Sequence, residues 1–122
     1  IGAFLEATYP EIFEDEILEM EELLDTVIRR DIHPDMASEI EKRGIPVHLL
    51  ALPSPGVVKE VGSVPLAVWI PAMGAIEIYA APMKYHCSGN LKAYRGYMGN
   101  LLLHEMGHAL GLDEPKIKDF GV

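Results

Sequence analysis

The sequence predicts a single α+β domain spanning residues 1–122, in the order N-terminal helices, small mixed sheet of three to four strands, C-terminal helix. Three observations carry this: an acidic amphipathic stretch near the start, a central run of short β-rich segments cut by Pro and Gly, and a return to helical spacing from Asn90. With 122 residues, 49% hydrophobic and 24% charged, the chain suits one core; two domains of half that size would each bury too little.

The first helix is read from Ile12, Phe13, Ile17, Leu18, Met20, Leu23, Leu24, Val27 and Ile28, whose helical spacing leaves eight acids between Glu11 and Asp25 on the other side. Thr8 with Glu11 reads as a capping box, and Arg29 and Arg30 suit the negative end. A second helix is expected from Pro34 to Arg43, stopped by Gly44. Val47 to Leu52, Val57 to Val61, Val64 to Ile70 and Ala75 to Ala80 read as strands, with Pro65 delaying its strand or placing it at an edge. Alternation in the last segment puts Ile76, Ile78 and Ala80 on a buried face opposite Glu77 and Tyr79. A final helix runs from Asn90 to Leu110, where Gly96, Gly99 and Gly107 suggest close packing against a neighbour.

The formal charge of −9 and a pI near 4.9 repel phosphate backbones, so nucleic acid is excluded as the expected partner. No apolar run reaches the roughly 18 residues of a membrane span, so no membrane association is expected. The single cysteine, Cys87, can form neither an internal disulfide nor a cysteine zinc cage, which fits a cytoplasmic protein. A chain that begins at Ile1 is compatible with a start further upstream. The acidic first helix reads as a solvated face, or alternatively as a docking surface for a basic partner.

The informative segment is His104-Glu105-Met106-Gly107-His108-Ala109-Leu110-Gly111-Leu112-Asp113-Glu114. Histidines four apart on a helix share a face, so His104 and His108 can converge on one ion at roughly 2.0 to 2.1 Å, a distance and ligand type that suit Zn²⁺. Glu105 points to a neighbouring sector, where it can serve as the general base of a hydrolytic site. A catalytic zinc usually takes three protein ligands. Gly111 and Pro115 predict a sharp turn after Leu110, with Glu114 held out of helical conformation, and either Asp113 or Glu114 could then swing back to the ion. Chance gives an HExxH in such a chain with a probability of about 0.02, and one with the following Gly about 0.002, so coincidence is a poor account.

The stretch HEMGHALGLDEPKIKDFGV resembles the end of a small bacterial metallopeptidase family that carries a matrix-metalloprotease-like, minimal zincin domain, and GAIEIYAAPM from Gly74 to Met83 resembles the strand preceding its active-site helix. The resemblance covers the C-terminal part of the chain. It implies a zincin-like fold with a C-terminal active-site helix, Zn²⁺ as cofactor, a peptide or protein substrate, His104, His108 and Glu114 as metal ligands, and Glu105 as catalytic base in an HExxHxxGxxE site. The chain departs from the family pattern in Glu114, one methylene longer than the usual acid, in Ala109, where the family often has His, and in ending without the usual Trp. The longer metzincin pattern does not apply, since position 114 is not His and no Met follows Met106.

His86 and Cys87 precede the helix and could approach a metal, though a lone thiol is more often packed. Tyr79, Tyr85, Tyr94 and Tyr97 are candidates to stabilise an oxyanion, Tyr97 being seven residues before His104 on the same face. His33 reads as a helix-start residue, His48 as a strand residue and Trp69 as core. Two rival functions follow from the same residues: a non-catalytic module in which zinc staples the last helix to its tail, and an acidic interaction protein.

Overall fold

Apolar residues at helical spacing give helix α1 (Glu14–Arg30), which turns Met20, Leu24 and Val27 inward and leaves Glu14, Asp15, Glu19, Glu21, Glu22 and Asp25 exposed. The structure is a computed structural model that describes residues 8, 9, 11–88 and 90–120. The cap of α1 lies at Phe13 rather than Thr8, because the Glu16 carboxylate accepts from the Phe13 N–H at 3.2 Å and fixes the first turn there. Helix α2 (Pro34–Lys42) starts where expected and ends one residue before Arg43; His33 caps it, its Nδ1 accepting from the Asp35 N–H at 3.1 Å.

The sheet has three strands, β1 (Val47–Leu50), β2 (Ala67–Ile70) and β3 (Ala75–Tyr79), in the order β1-β3-β2. It is mixed: β1 runs parallel to β3 with Val47 opposite Ile76, and β2 runs antiparallel with Ala67 opposite Ile78. Pro65 precedes a late-starting edge strand, as expected.

Three sequence expectations fail in this region. Val57 to Val61 belongs to helix α3 (Pro55–Val61), because the Ser54 Oγ accepts from the Val57 N–H at 3.3 Å and Pro55 suits a first turn, and this cap outweighs the β preference of the valines. β1 stops at Leu50 instead of Leu52. β3, the central strand, is buried at every position instead of on one face; on the second face Glu77 is only 7% exposed and accepts a 2.7 Å hydrogen bond from the Tyr79 hydroxyl. Burial and that carboxylate push the Tyr79 hydroxyl far above its ordinary pKa.

Ala80 leaves the strand and opens a short helix, α4 (Ala80–His86), which the sequence reading did not separate from β3. Lys84 of α4 ties it to α1, reaching Glu16 at 2.8 Å and donating to the Glu11 carbonyl at 3.2 Å. Helix α5 (Leu91–Ala109) follows, with the Asn90 side chain accepting from the Lys92 N–H at 3.1 Å, and the chain turns into α6 (Glu114–Phe120). Of the three glycines in α5, only Gly107 is closely approached; Gly96 faces open space and Gly99 is in ordinary contact with Val27. The core joins Met20, Leu24 and Val27 of α1, Met36 and Ile40 of α2, Ile76 and Ile78 of β3, and the inner face of α5. No helix among the described residues is long and apolar enough to cross a membrane.

Candidate metal centre

Helix α5 carries a stripe of residues four apart, Tyr94, Met98, Leu102 and Met106, each at most 3% exposed, and this stripe fixes the rotation of the helix against α1 and the sheet. A bidentate pair between Arg95 and Asp31, with both bonds at 2.7 Å, holds the helix at the end of α1. His104 and His108 stand two residues beyond Leu102 and Met106, hence about 200° round the axis, and emerge on the solvent side. Their rings meet edge to face, with Nε2 atoms 3.0 Å apart, a hydrogen-bond distance at which one ring donates and the other accepts according to the tautomer.

The turn that follows brings the third donor. Leu110 N–H returns to the Met106 carbonyl, Gly111 N–H to His108 at 3.0 Å and Leu112 N–H to Gly107 at 2.9 Å, with Gly111 at φ 77°. Asp113 then caps α6: its backbone carbonyl accepts from the Ile117 N–H at 3.0 Å and its Oδ1 from the Lys116 N–H at 3.2 Å. Capping separates the two acids left open by the sequence: Asp113 is bonded to the start of the helix, while Glu114 reaches back toward the histidines. Glu114 Oε1 lies 3.4 Å from His104 Nε2 and 3.5 Å from His108 Nε2. Contrary to expectation, Glu114 is itself the first residue of α6, with Pro115 second; an N–H in the first turn has no helical partner, so proline is accepted there.

His104, His108 and Glu114 are the group of at least three donor residues in the described chain able to hold a metal ion, and their side chains are 46%, 41% and 54% exposed. Glu105 is placed differently. It lies on the flank of α5 that packs along β2, where the backbone N–H of Trp69 favours its charged form. Its Oε2 is buried and has no hydrogen-bond partner among the described residues. Burial pushes the carboxyl above the usual carboxylate range, the neighbouring His104 and His108 pull it down, and Glu114 adds to the rise.

The weaker candidates lie elsewhere. Cys87 is buried in the core, which pushes its thiol pKa up, and His86 packs edge-on against Tyr97 with ring centroids 4.7 Å apart; neither belongs to the donor group. Tyr79 is bonded to Glu77 and Tyr94 is in the core, whereas Tyr97 is 40% exposed. Trp69 is partly buried against the core, as read, but its backbone contribution beside Glu105 went unforeseen. Nothing in a side-chain pattern could reveal it. The capping role of Asp113 was legible, since an Asp followed two residues later by Pro is a helix-start signature. No protein-family model matches the chain, and no curated protein or solved structure matches it either.

Proposed function

We propose that this chain is a zinc-dependent metallopeptidase of zincin-like fold, with His104, His108 and Glu114 as ligands and Glu105 as the proton-transferring base. The observation that carries the reading is the triangle of donor atoms with edges of 3.0, 3.4 and 3.5 Å. Ligand atoms about 2.0 to 2.1 Å from a tetrahedral zinc stand about 3.3 to 3.4 Å from one another, so two imidazoles and a carboxylate at this spacing fit that ion in number, chemistry and size. Three protein donors on an open face also leave room for a fourth, non-protein one. Zinc bound there would supply Lewis acidity toward a carbonyl and toward water.

The chain's own residues do the rest. Glu105 holds a carboxylate oxygen that has no hydrogen-bond partner among the described residues, beside the donor group, and this oxygen is free to take a proton from water and deliver it to a leaving amine. Strand β2 is a sheet edge among the described residues, and its Trp69 amide lies beside Glu105. An extended peptide pairing with such an edge would be aligned by its backbone, without demand on its sequence.

A second reading uses the same donors: the ion staples α6, which rests mainly on α5, and no turnover occurs. The variant Glu105→Gln separates the two. On a mixed peptide library, the zinc-loaded wild type is expected to cleave, and Glu105→Gln to lose about a hundredfold or more in rate while keeping its zinc. Equal cleavage by both proteins, or none by the zinc-loaded wild type, rejects the peptidase reading.

A further inference from the structure

We propose that Gly107 and Ile117 form a positioning device that sets the reach of the third ligand, Glu114; this rests on the metal-site reading above. Gly107 lies between His104 and His108 in sequence and is buried. A Cβ built on it would fall 2.6 Å from Ile117 Cδ1, 3.3 Å from its Cβ and closer still to its Cγ1. The Ile117 side chain therefore occupies the space that any other residue at 107 would need, and it is 3% exposed there.

The periodicity of α6 turns this contact into a lever. Glu114, Ile117 and Phe120 are spaced three apart on a short helix and share one side of it. Phe120, at the far end, packs edge-on against the His33 ring with centroids 5.3 Å apart. Ile117, in the middle, sits in the notch at Gly107. Glu114, at the near end, meets both imidazoles. A residue of any size at 107 pushes Ile117 outward, and because Glu114 is one turn away on the same rigid helix, its carboxylate is carried off the two nitrogens. Neither Gly107 nor Ile117 belongs to the donor group; they act through Glu114.

The test is a double-mutant cycle on zinc affinity, measured by competition with a chromophoric chelator, with the visible spectrum of the Co²⁺-loaded protein as a second readout. Gly107→Ala is expected to weaken zinc binding roughly ten- to hundredfold, the range seen when a residue supporting a metal ligand is changed. The same substitution made in a Glu114→Ala background is expected to have no further effect, and the Co²⁺ spectrum of Gly107→Ala should approach that of Glu114→Ala. Adding Ile117→Ala to Gly107→Ala removes the overlap and should restore part of the lost affinity, a rescue that a merely damaged helix would not show. An equal loss from Gly107→Ala with and without Glu114 overturns the proposal, as does unchanged affinity in Gly107→Ala. Failure of the metal-site reading looks different, because then the wild-type protein itself takes up no zinc.

Discussion

Replacing Gly111 by alanine tests the turn on which the donor group depends. Gly111 has φ 77°, and nothing lies within 4 Å of the position its Cβ would take, so the effect of alanine is conformational and not steric. The left-handed region costs an L-residue about 1 to 2 kcal/mol, and restriction of the unfolded chain returns about 0.4 to 1 kcal/mol. The net loss is therefore about 1 kcal/mol. For 122 residues, at about 2.1 cal/mol/K of unfolding entropy each, that lowers Tm by about 4 °C. Asparagine tolerates the same region and should lose less than half as much. Calorimetry of the metal-free variants measures the shift, and amide exchange at Leu112 and Ile117 reports whether the strain is instead relieved by lifting α6, since those two amides bond across the turn and within α6. Alanine that changes neither Tm nor exchange would refute the argument.

Zinc at a hundred times its dissociation constant should add about 2.7 kcal/mol, or about 10 °C in Tm, to the wild type, and His108→Ala should abolish the shift in the same scan. Glu105→Gln should raise the Tm of the metal-free chain at neutral pH: a carboxyl whose folded pKa is raised loses stability as the pH climbs from its unfolded value through the folded one, and the amide does not ionise. The gain should vanish at a pH below the ordinary carboxyl value of 4.5, which a pH series of melts checks. Glu16 and Asp31 have the opposite sign, because Lys84 and Arg95 hold their carboxyls below the ordinary 4.5 and 3.8; their contribution is present above those values and lost as the pH falls through the lowered ones. Lys84→Met together with Arg95→Met should therefore flatten the acid limb of stability, seen in urea melts between neutral and acid pH. Leu102→Ala, at a site with 0% exposure, should cost about 2 to 5 kcal/mol in urea denaturation.

The parts of the fold written in periodicity and caps were readable. Helices α1 and α5 announce themselves through apolar spacing and α2 through Pro34 and Gly44 at its two ends, and His33 and Asn90 mark starts that their side chains do bond. Val57 to Val61 misled because β-branched residues state a local preference, while Ser54 and Pro55 state where a helix can begin, and the cap prevailed. The burial of Glu77 was illegible for another reason: alternation tells which residues share a face, and only the packing of the neighbouring elements tells whether both faces are covered. In the donor group, the two histidines follow from helical geometry alone. The claim of the backbone on Asp113 was readable from Pro115 two residues on, whereas the approach of Glu114 to both histidines depends on the three-dimensional turn at Gly111.

Glu105 is the residue at which the two zinc readings separate energetically as well as chemically. A staple needs three donors and gains nothing from a carboxylate beside them, yet Glu105 keeps an oxygen buried without a partner among the described residues, an arrangement that costs about 1 to 3 kcal/mol. The two imidazoles and the Trp69 amide offset part of that penalty without removing it, since the net shift of the carboxyl is still upward. A partly buried acid held above its ordinary pKa in the metal-free chain, on the same helix as His104 and His108 and against an edge strand, suits general-base chemistry, which a stapled tail does not need. The unfavourable burial thus favours the peptidase reading, and it makes the metal-free Glu105→Gln melt informative before any substrate is known: a variant no more stable than its parent would remove the energetic reason for preferring catalysis over stapling.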